Sequence, residues 1–314
     1  GLVWWGGSWW VSNKQESRLR AKLTEHGLQD RVHWKSLNGS LFGSFTLEDV
    51  VVDMPGQGKV QAGSVRVSDV VNSDDRQRLA LRVQGLRQTD VKGEQAMAQM
   101  LGALSGRFEL PPMDVELKVD ARYDDDEGEI QLSLRQKEAV DFDFHLELTQ
   151  IKVLREMGQA AGAAGQAGLG SMGGMGGMGL FALLALGEQV QLKSLQSSVK
   201  DRGAVERGIA LYKRHNVPVS VDGGSLASQR DKGFAQRVLD IKAGCMREGP
   251  ALLSKDPKGS CDAVTEFLSG KEDSLRVSIQ PKTPMPISKA AEALMGRGGR
   301  PGEGAALLNV QIGS

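Results

Sequence analysis

The 314-residue chain carries 39 basic and 39 acidic residues, so its formal net charge is zero, and 40% of its residues are hydrophobic. That apolar share excludes a wholly disordered chain, and the charge balance argues against a nucleic-acid-binding protein. The 40 glycines follow no period of three, which excludes collagen, and no run of 18 apolar residues marks a complete internal membrane span.

The first eleven residues, Gly1 to Val11, form an apolar run that holds Trp4, Trp5, Trp9 and Trp10. Tryptophan settles at membrane–water interfaces, and a strongly polar run, Asn13 to Lys22, follows at once. Residues 1–12 therefore read as the outer end of an N-terminal signal anchor whose first half has been removed. The alternative is a Trp-rich strand or a tucked-in tail.

Residues 13–26 have the pattern of a helix, ended by Gly27 at the position after its last turn. Strands are expected over 31–38, 45–52 and 60–67, and Leu79, Leu81 and Val83 alternate with Ala80, Arg82 and Gln84 in a fourth. Between Gly93 and Ser105, Met97, Met100, Leu101 and Leu104 lie at helical spacing. The clearest sheet signal comes next. Val115, Leu117, Val119, Ala121 and Tyr123 alternate with charged residues, then Ile130, Leu132 and Leu134, then Phe142, Phe144, Leu146 and Leu148. These three segments describe an antiparallel sheet with one apolar and one charged face.

Residues 158–187 are rich in glycine and methionine and end in a seven-residue apolar run, Leu180 to Leu186. They read either as an apolar flap or as a core helix entered through a loop. Beyond them the pattern gives a strand at 189–195, a short helix with Val205, Ile209 and Tyr212 on one side, and a helix with Phe234, Val238, Ile241 and Cys245 on one face. A further helix is expected with Ser260 as its cap, then a strand at Leu275 to Ile279, a helix capped by Ser288 and running through Met295, and a last strand at 307–312. The fold class is α+β: a curved antiparallel β-sheet with helical inserts and a disulfide-linked helical segment. The domain organisation is an anchor end (1–12), a β-rich domain with helices (13–157), a Gly/Met-rich flexible segment (158–187) and an α+β C-terminal region (188–314).

The two cysteines, Cys245 and Cys261, sit on two helical patterns joined by Pro/Gly turn signals. Hinged there, the helices bring the sulfurs together as a disulfide, which with the anchor implies an oxidising space such as a bacterial periplasm. Two buried free thiols are the alternative; no neighbouring Cys or His completes a zinc site. The four histidines, His26, His33, His145 and His215, have no metal-ligand spacing, and no G-x-S-x-G or Walker A loop is present. Asp124–Gly128 fits a solvated hairpin turn better than a calcium loop. Asp201-Arg202 is either a polar functional pair or an N-cap with a surface charge. The sequence thus assigns no catalytic residue, no cofactor and no metal.

The segments Val32-His-Trp-Lys-Ser-Leu-Asn-Gly39, Gly43-Ser-Phe-Thr-Leu-Glu-Asp-Val50 and Gly63-Ser-Val-Arg-Val-Ser-Asp-Val70 resemble the N-terminal part of AsmA-like domains. The likeness covers residues 1–90 and implies a single-pass protein of the Gram-negative envelope, anchored in the inner membrane and facing the periplasm. Two functional expectations follow. In the first, the apolar sheet face forms a groove for a lipid or another apolar ligand, lined by Leu117, Val119, Leu132, Leu134, Phe142 and Phe144 with Met97 and Met100 from the cover. In the second, the protein is a non-catalytic scaffold for envelope partners. The bland alternative for the six sheet residues is plain core.

Overall fold

A computed structural model describes residues 16–17, 19–21, 23–25, 27–40, 44–54, 58–89, 111–155, 188–220, 224–248, 256–294 and 307–314. The helix expected over 93–105, the segment 158–187, the anchor end 1–12 and the loop at 296–304 lie outside the described residues.

Helical residues between Glu16 and Glu25 lead to Gly27, which has φ 66°. Gly27 N–H donates to Thr24 O and Leu28 N–H to Leu23 O, the paired bonds that close a helix on a left-handed residue. The chain then enters β1 (Val32–His33) and β2 (Ser36–Gly39), both of which pair with β3 (Phe45–Met54). An unbroken antiparallel meander follows: β4 (Gly58–Asn72), β5 (Arg76–Thr89), β6 (Met113–Arg122), β7 (Glu127–Gln136) and β8 (Val140–Thr149). The β6–β7 hairpin turns through Tyr123–Asp126, with Asp126 at φ 59°.

The sheet does not stop at the insertion that follows. β9 (Gln191–Asp201) pairs along β8 from Thr149↔Gln191 to Val140↔Asp201, so one sheet runs through both halves of the chain. Beyond it come α1 (Ala204–His215), α2 (Leu226–Glu248) and α3 (Pro257–Leu268). Then β10 (Ser274–Ile279) pairs with β9, the short β11 (Met285–Pro286) joins the start of β9, α4 covers Ile287–Leu294, and β12 (Val310–Gly313) closes on β10. Among the described residues the result is a 12-stranded open antiparallel sheet with helices, an α+β fold. Bulges between Ser68 and Val71, Val83 and Leu86, and Glu147 and Leu148 bend the strands and sharpen their twist.

Three helix and strand starts differ from expectation. α3 begins at Pro257, not at Ser260: the Asp256 carboxylate accepts from Gly259 N–H at 2.8 Å, and proline fills the first helical position, where no N–H is needed. Ser260 instead lies buried inside the first turn, its hydroxyl donating to Ile312 O. α4 begins at Ile287, one residue before the expected cap Ser288. The last strand begins at Val310, because Asn309 adopts φ 50° and Leu307–Leu308 are still helical.

The core is distributed. At the C-terminal end of the sheet Leu192, Cys261, Ile279, Ala290, Leu308 and Val310 pack together under α3 and α4. At the N-terminal end Leu37, Leu47, Val50 and Ala62 form a second cluster, with Leu19 of the first helix and Trp34 against it. A third, Tyr123, Leu148, Ile151 and Val190, seals one rim of β6–β9.

Candidate functional site

Between the two helix-covered ends, register builds continuous apolar rows across the strands. Val83, Val115, Leu134, Phe142, Val199 and Leu275 are successive partners. So are Leu81, Leu117, Leu132, Phe144, Ser197 and Val277, and next to them Leu79, Val119, Ile130, Leu146, Leu195 and Ile279. Alternate residues of a strand share a face, so the three rows form one surface, interrupted only by Ser197. The six sheet residues singled out from the sequence, Leu117, Val119, Leu132, Leu134, Phe142 and Phe144, all lie on it. Each is partly buried, and Phe142 and Phe144 stack with ring centroids 6.5 Å apart. By contrast, positions on the same face under the C-terminal helices are buried, as Ile279 and Val310 are. Met97, Met100, Trp4, Trp5, Trp9 and Trp10 lie outside the described residues.

Sequence reading missed how far the surface extends. Val83 and Leu81 of β5 and Leu195 and Val199 of β9 continue it on either side of β6–β8. The β5 alternation was visible in the sequence. The β9 contribution was hidden by Gln196, Ser197 and Ser198, which interrupt the apolar signal.

The opposite face is a ladder of paired charges. Arg76 clamps Asp120, donating from Nε at 2.8 Å and from Nη2 at 2.5 Å. Arg82 and Lys118 both reach Glu116, at 2.9 and 3.0 Å, and Arg122 and Lys193 share Glu127, at 2.7 and 2.9 Å. Arg135 pairs with Asp143, whose other donor is the Ser133 hydroxyl at 2.7 Å. His145 Nε2 lies 2.9 Å from Glu129 Oε1. Shallow depressions on this face are lined by Asp69, Arg78, Lys118, Asp120 and Glu129, and further along by Asp143, His145, Gln196 and Arg276.

These pairs shift acid–base behaviour. The Arg76 hydrogen bond holds Asp120 below the usual carboxylate range, Lys118 and then Arg82 do the same for Glu116, and Lys193 does so for Glu127. For Asp143 burial pushes the carboxyl up, but hydrogen bonds from Arg135 and Ser133 outweigh it and the net direction is down. A carboxylate whose pKa is depressed on folding stabilises the native state above its unfolded pKa, and that contribution disappears as pH falls through the folded value. Stability is therefore expected to be level near neutrality and to decline below about pH 4, the ordinary carboxylate range. Urea midpoints measured between neutrality and strong acid check this. A midpoint that rises on acidification contradicts it.

Asp201 and Arg202 have separate structural tasks. The Asp201 carboxylate accepts from Val205 N–H at 2.9 Å in the first turn of α1, whose N-cap is Gly203 rather than Asp201, while Arg202 donates from Nε to Asp141 at 2.7 Å. Among the described residues no group of three or more His, Cys, Asp and Glu side chains is placed to hold a metal ion. Among them, too, no helix is long and apolar enough to cross a membrane. Cys245 and Cys261 are joined as a disulfide, with Cα atoms 5.7 Å apart, linking α2 to α3.

The fold and its two-sided sheet define an α+β protein built on an open antiparallel meander. No protein-family model matches the chain, and no curated protein matches it either.

Proposed function

We propose that this chain is a non-catalytic periplasmic domain, held at the bacterial inner membrane by an N-terminal anchor, whose apolar sheet face binds a lipid or another elongated apolar ligand. The observation that carries this reading is the three-row apolar surface spanning β5 to β9, only partly buried and flanked by helix-covered ends. Strands in a sheet lie about 4.8 Å apart, so five strands offer roughly 19 Å of apolar width, enough to accept an extended hydrocarbon chain. The likeness of residues 1–90 to AsmA-like domains belongs to the same reading.

Organic extraction of full-length protein purified from a Gram-negative host, followed by mass spectrometry, tests it. The expected result is lipid in near-stoichiometric amount that survives gel filtration. Protein that carries none, and that binds no apolar fluorescent probe, overturns the lipid reading.

A second reading, a scaffold for envelope partners, is favoured by α2. Leu226 and Leu239 on that helix are 53% and 58% exposed, and a partner seated on α2 would cover them. Full-length protein free of lipid but eluting with a stable protein partner fits the scaffold instead.

A further inference from the structure

We infer that the Cys245–Cys261 disulfide is a redox-sensitive tether that keeps the α1–α2 hairpin docked, and that the sheet does not need the bridge to stay folded. The inference is independent of what the sheet face binds.

The two cysteines sit in unlike surroundings. Cys261 is wholly buried, within the cluster of Leu192, Ile279, Ala290, Leu308 and Val310. Cys245 is only partly buried and touches that cluster from outside. Among the described side chains of its helix, residues 226–247, none is buried, and α1 has no buried residue either. What α2 packs against is α1 and α3; its contact with the sheet is slight.

Within the hairpin the contacts are intimate. Tyr212 meets Phe234 edge-on at 6.0 Å, Lys213 pairs with Asp231 at 2.8 Å, and Val217 sits so close to Gly233 that a Cβ there would lie 2.4 Å from it. Between hairpin and body the main packing is α2 on α3, and Arg207 of α1 donates to Glu138 O. Lys242 pairs with Asp262 across α2 and α3, and Ile209 of α1 reaches Gly270. The base of α1 is held by main-chain bonds from Arg202 and Ala204 to Ala139 O, at Gly203 with φ 114°. The hairpin thus leaves the body at Gly203 and is fastened near its far end by one covalent bond, with the Lys242–Asp262 ion pair and the α2–α3 packing beside it.

Release needs a dithiol reductant. Its thiolate attacks the more accessible Cys245 Sγ, the Cys245–Cys261 bond breaks, and Cys261 leaves as a thiolate that takes up a proton. The reductant's second thiol then displaces Cys245 from the mixed disulfide. Two electrons and two protons pass to the cysteine pair, and the reductant ends as a cyclic disulfide. Cys261 stays in the core as a small apolar thiol, so the body loses no packing volume.

The test is hydrogen exchange read by mass spectrometry on the folded full-length chain, before and after dithiothreitol in native buffer. Amides of 226–248 are expected to exchange at least about tenfold faster once reduced, while those of β6–β9 keep their rates. The variant Cys245→Ser, without reductant, is expected to reproduce that pattern. Three results overturn the inference: a disulfide that resists dithiothreitol until denaturant is added, α2 rates unchanged after both thiols are free, or sheet amides losing protection in step with α2.

Discussion

Leu308→Ala is expected to destabilise the protein by about 3–4 kcal/mol, the upper part of the range for a leucine truncated in a core that cannot collapse. Leu308 has no exposed surface. It sits where α3, α4, β10 and the last strand converge, against Cys261, Ile279, Ala290 and Val310. Its main chain is fixed as well, because Leu308 O accepts from Gln280 N–H at 3.1 Å. Neighbours held by a disulfide on one side and a strand ladder on the other have little freedom to move into the cavity. Against a total stability of roughly 5–15 kcal/mol, such a loss is large. Urea denaturation should show a markedly lower midpoint with unchanged slope, whereas Leu239→Ala, on the exposed face of α2, should shift stability by no more than about 0.5 kcal/mol. A cost below about 1 kcal/mol at Leu308 would mean that the C-terminal helices do not pack on the sheet as described.

Local patterns carried most of the fold. The alternation of Val115 to Leu148 identified three strands and their apolar face, since period two can be read without knowing any partner. Gly27 was legible as a helix terminator for the same local reason. What was not legible depends on distant partners. Nothing in Gln191 to Asp201 says that this strand will add to β8 across a long insertion, and polar Ser197 falls in an otherwise apolar row. Nor did Asp256-Pro257 announce a helix start. The dipeptide serves equally in a turn, and only the Asp256 to Gly259 hydrogen bond decides between them. The long strands β4 and β5 also outran expectation, because bulges at their bends admit residues such as Asp69 and Gly85 that interrupt the alternation. At the candidate site, the face was legible and its width was not.

Leu132→Asp distinguishes a ligand surface from plain core. Leu132 lies in the middle of the apolar face, between Leu117 on β6 and Phe144 on β8, with Ile130 and Leu134 beside it on its own strand. If those neighbours enclosed it completely, a carboxylate there would be an unpaired buried charge, and the fold would be lost outright. Leu132 is only partly buried, and the Arg135–Asp143 ion pair, with the Ser133 hydroxyl donating to Asp143, lies on the other face. On the reading proposed above, the new carboxylate keeps contact with water in the unliganded protein. The expected cost is then about 1–2 kcal/mol, from the apolar area the leucine no longer buries. Circular dichroism should be unchanged. Binding of an apolar fluorescent probe should fall by at least about tenfold, because a ligand lying across the row would have to strip water from the charge. Leu132→Trp, which adds bulk without charge, should weaken the probe while leaving stability within about 1 kcal/mol. Gln131→Asp, one residue away but on the charged face, should change neither by a measurable amount. If Leu132→Asp unfolds the protein while Leu132→Trp folds and binds the probe as the wild type does, the face is core and the scaffold reading takes over.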